Sequence, residues 1–269
     1  MDNLLTLGAV GRAVADAQQA LNRIGVPAPT SGHYDDATAQ AVREAQKRAG
    51  LVQDGIYGPK TRAYVSGLDI GRLLTEKDIL AAADKLQLPV AAIKAVNNVE
   101  SRGQGFLPDG RPVILFERHV FWDRLKKAGI DPAKLQAPAT ILSPVRGGYA
   151  GGAAEYQRLT MAAQINADAA QESASWGLFQ IMGYHWKSLG YASVADFVAR
   201  QKINEGEQLE ALVRFLTANP PLLSALRGQK WAAFAKGYNG ADYAANLYDA
   251  KLARAFDHFQ LQHPEEVTQ

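Results

Sequence analysis

Glu100, in the segment NNVESRG (97–103), is the residue whose type and position point most directly to chemistry. Ile93, Val96 and Glu100 recur at spacings of three and four, and Pro89 is suited to the first turn of the helix that would carry them. Their shared face is apolar and should point inward. A carboxylate placed where leucine would be comfortable loses hydration, which disfavours its charged form and raises its pKa. A carboxyl held protonated near neutral pH can donate to a leaving oxygen, as cleavage of a glycosidic bond requires. Gly103 is a stop signal that leaves Glu100 near the helix end. Taken alone, a glutamate in such a place is more often half of a structural ion pair, for which Arg102 and Arg118 are the nearby partners.

The elements that must position this acid fall into two regions. In residues 1–66, Gly32, Tyr34, Thr38 and Val42 recur 23 positions later as Gly55, Tyr57, Thr61 and Val65. A helix precedes the repeat, with Val10, Val14, Ala17, Leu21 and Ile24 on its apolar face and Gly25 as its stop. A second helix is predicted from about Asp36 to Ala49, closing at Gly50, and a third opens at Pro59. Residues 67–74 read as a linker. Thr75 and Asp78 then form a capping-box variant that opens a larger, mainly helical region, 75–269. Within it, RPVILFER (111–118) predicts one or two short strands. GGYAGG (147–152) predicts a loop, followed by one long helix from about Ala153 to Ala170.

The N-terminal region resembles the peptidoglycan-binding domain carried by many cell-wall hydrolases. The resemblance rests on AQQALNRIG (17–25), the Gly32-His33-Tyr34 turn and GLVQDGIYGPKT (50–61), and it spans residues 8–66. It implies wall contact near the two loops, with Tyr34, Asp54, Tyr57 and Thr61 as the candidate wall-binding residues.

Downstream, Glu100-Ser101, SWGLFQIMG (175–183) and GYNG (237–240) with Tyr243 are similar to the motif series of goose-type lysozymes and lytic transglycosylases. The intervening ILFERHVFW (114–122) and GGYAGG segments look most like the N-acetylmuramidase domain of modular phage endolysins. The resemblance implies a lysozyme-like, mainly α fold with a sugar-binding cleft. In that cleft the Gly-Leu-Phe-Gln segment would start a helix, and Gln180 and Asn239 would bond the N-acetyl sugars. Tyr238 would lie beside the acid. Ser175 would belong to the same lining, and Tyr184 or Trp176 would offer a stacking face. Trp176, Trp186 and Trp231 can equally be core, and Gly177 and Gly237 would admit backbone close to substrate.

A hydrolase needs a base for water if it inverts, or a nucleophile if it retains. Goose-type enzymes carry an acid shortly before the glutamine segment, which makes Glu172 a candidate. Glu117 follows four apolar residues, an odd place for an unpaired charge, and ranks above Glu172 unless it merely pairs with Arg118 or Arg124. Asp168 ranks third.

A formal charge of +2 is too small to demand nucleic acid. The chain has no cysteine, and its five histidines show no metalloprotease spacing, so neither metal nor cofactor is expected. The N-terminus lacks a signal peptide's basic and apolar regions, and no stretch reaches the length of a membrane span. By these resemblances the expected protein is a monomeric endolysin that hydrolyses the bond between N-acetylmuramic acid and N-acetylglucosamine. It would be made in a host cytoplasm, be released by a holin-type partner and act in the periplasm. The alternatives are a lytic transglycosylase, in which the sugar's own 6-hydroxyl closes a 1,6-anhydro ring, and a non-catalytic wall-binding or virion protein that keeps a lysozyme-like fold. The amphipathic C-terminal stretch, with Leu247, Leu252, Phe256 and Phe259 on one face, reads as a packed closing helix rather than a membrane anchor.

Overall fold

Caps and stops decide where the helices begin and end. The structure, a computed structural model, describes residues 4–101, 103–240, 244 and 246–261. Arg102, Tyr243 and the acidic Glu265-Glu266 tail lie outside the described residues. The first five helices are α1 (Arg12–Arg23), α2 (Asp36–Ala49), α3 (Pro59–Val65), α4 (Glu76–Leu86) and α5 (Val90–Glu100). Asp35 caps α2 by accepting from Thr38 N, and Gly50 closes it in the left-handed conformation that glycine adopts at little cost. Thr75 and Asp78 form the full reciprocal capping box on α4. Val10 departs from the expected α1 face. It is 74% exposed and pairs in an extended bridge with His33, so its backbone is committed to a two-stranded contact before the helix begins.

Each loop of the 23-residue repeat is held by a buried glutamine from a preceding helix, although the two glutamines do not themselves keep that period. Gln18 Oε1 accepts from Gly32 N at 2.9 Å, and its Nε2 donates to His33 O and Thr38 Oγ1. Gln46 Oε1 accepts from Gly55 N at 3.0 Å, and its Nε2 donates to Asp54 Oδ1, Ile56 O and Thr61 Oγ1. Each amide reads one loop and fixes it to a helix. This changes the standing of the residues expected to touch the wall. Tyr34, Tyr57 and Thr61 are all at least 95% buried, and the Tyr34 hydroxyl donates to Gly55 O at 2.8 Å. They build the loops from within, because their rings and methyl groups fill a core that a domain this small has little other material to fill. Asp54 is half-buried and accepts from Gln46 and from Ile56 N, and burial raises its pKa.

The remaining helices are α6 (Arg118–Lys127), α7 (Glu155–Ile165), α8 (Ala167–Glu172), α9 (Val194–Gln201), α10 (Glu205–Thr217), α11 (Pro220–Arg227), α12 (Trp231–Asn239) and α13 (Tyr248–Gln260). The single helix expected over 153–170 is broken into α7 and α8. Asn166 turns to extended geometry, and its side chain accepts from Ala169 N, so it caps a new helix instead of continuing the old one. Strands β1 (Ile114–Phe116), β2 (Ala174–Trp176) and β3 (Ile181–Met182) form an antiparallel sheet in that order. Ile114 faces Trp176 across the ladder, and Trp176 faces Ile181. The Gly-Leu-Phe-Gln segment is therefore the four-residue turn of the β2–β3 hairpin and not the start of a helix.

By packing, the chain divides into one unit of residues 1–99 with 246–269 and another of 100–245. In the first unit a buried ion pair joins α4 to α5. Lys94, 1% exposed, meets Glu76 at 2.8 Å, and both bond the backbone of Gln53. Leu252, Phe256 and Phe259 of α13 are buried, as expected of a packed helix, but Leu247, expected on the same face, precedes the helix in a left-handed turn and is 57% exposed. No described helix is long and apolar enough to cross a membrane.

Each buried glutamine satisfies a loop N–H that would otherwise be orphaned. Gln46→Ala or Gln18→Ala should each lower stability by about 1–3 kcal/mol, measured by urea unfolding. A smaller change than that of a surface Gln→Ala control such as Gln19 would remove the amides from this role.

Candidate active site

Three segments far apart in sequence converge on Glu100. The acid is the last residue of α5 and is half-buried. Asn239, the last residue of α12, donates its Nδ2–H to Glu100 Oε1 at 2.9 Å. The preceding Tyr238 donates its hydroxyl to Phe179 O at 3.0 Å, inside the β2–β3 turn. Its ring stacks on Phe234 at 5.7 Å and meets Phe215 edge-on at 6.0 Å. The Tyr-Asn pair thus ties the acid to the hairpin turn, with the tyrosine holding the turn and the asparagine holding the carboxyl.

Burial raises Glu100 to about 7, against an ordinary 4.5, and the Asn239 hydrogen bond moderates the rise. Tyr238 is also raised, by burial first and by the neighbouring Glu100 carboxylate second. Glu100 is therefore substantially protonated at neutral pH, and a side-chain amide is its bonding partner among the described residues.

The turn itself is organised from within. Gln180 has a positive φ of 52°, and its Nε2 donates to Gly177 O at 2.7 Å and Val113 O at 3.3 Å. Ser175, 6% exposed, donates its hydroxyl to Gln180 Oε1 at 2.8 Å. Both residues shape the hairpin. Trp176 is 2% exposed and donates its indole N–H to Gln171 O, so it has no open face for a sugar ring. Tyr184 is half-buried, and the Arg124 guanidinium lies 4.6 Å over its ring.

The two other candidate carboxylates are occupied by protein groups. Glu172 accepts from Trp186 Nε1 at 2.7 Å and lies 3.6 Å from Arg124. Glu117 lies just before α6 and accepts the Tyr149 hydroxyl on both oxygens, at 2.9 and 3.0 Å, with His119 Nδ1 at 3.2 Å. Its partner is thus a tyrosine of the glycine-rich loop, not Arg118 or Arg124. Arg118 instead donates to the carbonyls of Ala139 and Val145. The register places Glu117 four residues along β1 from Val113, the residue bonded to Gly177, which is about 13 Å of strand.

Sequence reasoning missed Glu205 and Gln208. Both are buried on α10, and together they pin the loop that follows Glu100 to the hairpin turn. Glu205 Oε1 accepts from Gly105 N at 2.7 Å. Gln208 Oε1 accepts from Leu178 N at 2.7 Å, while its Nε2 donates to Gly105 O and Gln201 O. A Cβ at Gly177 would lie 2.6 Å from the Gln208 carboxamide carbon, so that glycine admits a protein side chain rather than a substrate. Gly237 likewise makes room for Leu222. The available signal was two polar residues spaced by three on an apolar helical face.

Comparison with known proteins gives the family. A model of N-acetylmuramidases matches residues 89–260, more than half of the chain, and a model of peptidoglycan-binding domains matches residues 10–64. The chain belongs to the N-acetylmuramidase family. The muramidase is 50% identical to a Burkholderia AP3 phage endolysin of known crystal structure. The two superpose with a TM-score of 0.92, over 97% of this chain and 99% of that one. It is 38% identical over 68 residues to the N-acetylmuramoyl-L-alanine amidase CwlL of Bacillus licheniformis. That match spans 24% of the muramidase and 19% of the amidase.

Two consequences follow for the muramidase acid. Asn239→Ala removes the bond that favours the ionised carboxylate, so the Glu100 pKa should rise above about 7 in a ¹³C-carboxyl titration by NMR. An unchanged or lower value would exclude Asn239 as its moderator. Because the folded pKa exceeds the ordinary 4.5, the stability that burial of neutral Glu100 contributes is complete below 4.5 and lost as pH rises through about 7. The advantage of Glu100→Gln in thermal unfolding should therefore grow between those values and level off above them.

Proposed function

We propose that this muramidase is a modular endolysin whose N-terminal domain holds peptidoglycan while Glu100 protonates the glycosidic oxygen between N-acetylmuramic acid and N-acetylglucosamine. The observation that carries the reading is the half-buried Glu100, raised to about 7 and bonded only by a neutral amide among the described residues. Its likeness over nearly its whole length to a phage endolysin supports the same role.

The chemistry follows from that acid. Glu100 gives its proton to the leaving oxygen as the anomeric C–O bond breaks, leaving an oxocarbenium-like sugar. Water adds to the anomeric carbon, and its surplus proton restores Glu100. Burial is what raises Glu100, with no neighbouring carboxylate among the causes. We therefore assign Glu117 to holding Tyr149 and the glycine-rich loop, and Glu172 to bracing Trp186 and Arg124, rather than to a base or nucleophile. Asn239 keeps the acid aimed, and Gln180 and Ser175 set the turn beside it. The two-domain build also fits delivery by a separate membrane-permeabilising partner and action as a monomer.

Glu100→Gln should lower the rate of wall clearing by about 10²–10⁴-fold while leaving sedimentation with purified wall intact. The activity of the parent protein should fall as pH rises through about 7, as the acid ionises. Glu117→Gln should lose far less activity than Glu100→Gln. Full clearing by the Glu100 variant would overturn the assignment. Digestion products bearing only 1,6-anhydromuramic ends would replace hydrolysis with transglycosylation.

A further inference from the structure

A cleft of about 580 Å³ lies wholly within the unit of residues 1–99 and 246–269. Its lining joins Arg43 of α2 to Lys251 and Arg254 of α13, with Asp36 as the acid among its lining residues and Ile56 and Phe259 on its apolar part. Among the described residues neither Arg43, Lys251 nor Arg254 forms an ion pair with a carboxylate. His258 on the same lining is lowered from its ordinary pKa, by burial first and by the Arg43 charge second. The Arg43 guanidinium also crosses closely the loop at 54–58, where Asp54, Gly55 and Gly58 form a DGxxG motif. A Cβ on Gly55 would stand 2.7 Å from Arg43 Nη1, so the glycine of that motif keeps the arginine's path into the cleft open.

We infer that this cleft binds the carboxylate-bearing peptide stem of peptidoglycan, with Arg43, Lys251 and Arg254 as its anion-binding residues. The inference rests on the endolysin reading, which supplies the wall as ligand. The chemistry of the lining chooses the stem over the glycan. Neutral sugars are held by open aromatic faces and hydrogen-bonding side chains, and the cleft's aromatic Phe259 is 1% exposed. Carboxylates are held by guanidinium forks, and two face this space. The apolar remainder suits the short aliphatic side chains of a stem, and the volume suits a ligand of a few residues. The residues expected to touch the wall, Tyr34, Tyr57 and Thr61, are buried and leave that work to others. Two of the three cations lie on α13, beyond the matched peptidoglycan-binding segment 10–64. Wall recognition would then be completed by the last helix of the chain and not confined to the N-terminal domain.

Calorimetric titration of the full-length protein tests this. The probes are a soluble disaccharide-tetrapeptide fragment of peptidoglycan and, as a peptide-free disaccharide without a carboxylate, the neutral dimer of N-acetylglucosamine. The peptide-bearing fragment should bind, and binding should weaken as salt is raised. The peptide-free disaccharide should not compete at this site. Arg43→Ala combined with Arg254→Ala should weaken binding at least tenfold, and Arg254→Glu alone, on an exposed helical position, should do the same with its melting temperature unchanged. Equal affinity in these variants, equal affinity for the peptide-free disaccharide, or no binding by the unaltered protein would each overturn the inference. Cleavage of peptide-free glycan by the unaltered protein, followed separately, reports on the muramidase reading, so the two can fail independently.

Discussion

The arrangement around Glu100 depends on two polar side chains buried on the inner face of α10. Glu205 and Gln208 take up the N–H and C=O of Gly105 and the N–H of Leu178, in a place from which water is excluded. Backbone groups of irregular loops cannot be left unsatisfied in an interior, since each orphan costs about as much as a lost hydrogen bond or more. With the two side chains in place, the loop following the acid and the hairpin turn become parts of one hydrogen-bonded body. Asn239 and Tyr238 then have fixed targets, and Glu100 can be half-buried at a helix end with a neutral amide as its bonding partner among the described residues. Its raised pKa follows from that support.

The same device recurs throughout the chain. Gln18 and Gln46 hold the two loops of the N-terminal region, and Glu155 holds another. Burial alone would raise Glu155, but N–H donors from Gly151, Phe116 and Ala150, with Arg158, outweigh it and keep its carboxyl below the usual range. Glu100 and Glu155 are therefore opposite solutions to one problem. Four donors stabilise the charge of Glu155, whereas a single amide leaves Glu100 near the point of ionisation. Number of donors, more than depth, separates a structural carboxylate from one able to give a proton at neutral pH.

Much of the helical frame was legible because it is written in local chemistry. Asp35, Gly50, Pro59 and the Thr75–Asp78 box act within one turn of themselves, and each falls where sequence rules place it. Reading broke down where a local signal served a distant partner. Asn166 looked like an ordinary helical position but competes for the backbone and starts a new helix. Gly177 suggested room for a sugar but makes room for Gln208. The repeated tyrosines suggested a binding surface but are the interior of the loops they mark. An aromatic beside a glycine turn has the same sequence signature whether it faces in or out.

By itself the sequence determined many of the helix ends, the internal repeat, the family and the placing of Glu100 on an apolar helical face, because caps, periodicity and spacing act over a few residues. Only the tertiary structure decided which residues support that carboxyl. The bonds from Asn239 to Glu100, from Tyr238 to Phe179 and from Gln208 to Leu178 span 139, 59 and 30 residues. Likewise only the fold gave Glu117 to Tyr149 and Glu172 to Trp186. A carboxylate's role is set by the number and charge of the groups that reach it, and those groups arrive from elements whose meeting no local spacing specifies.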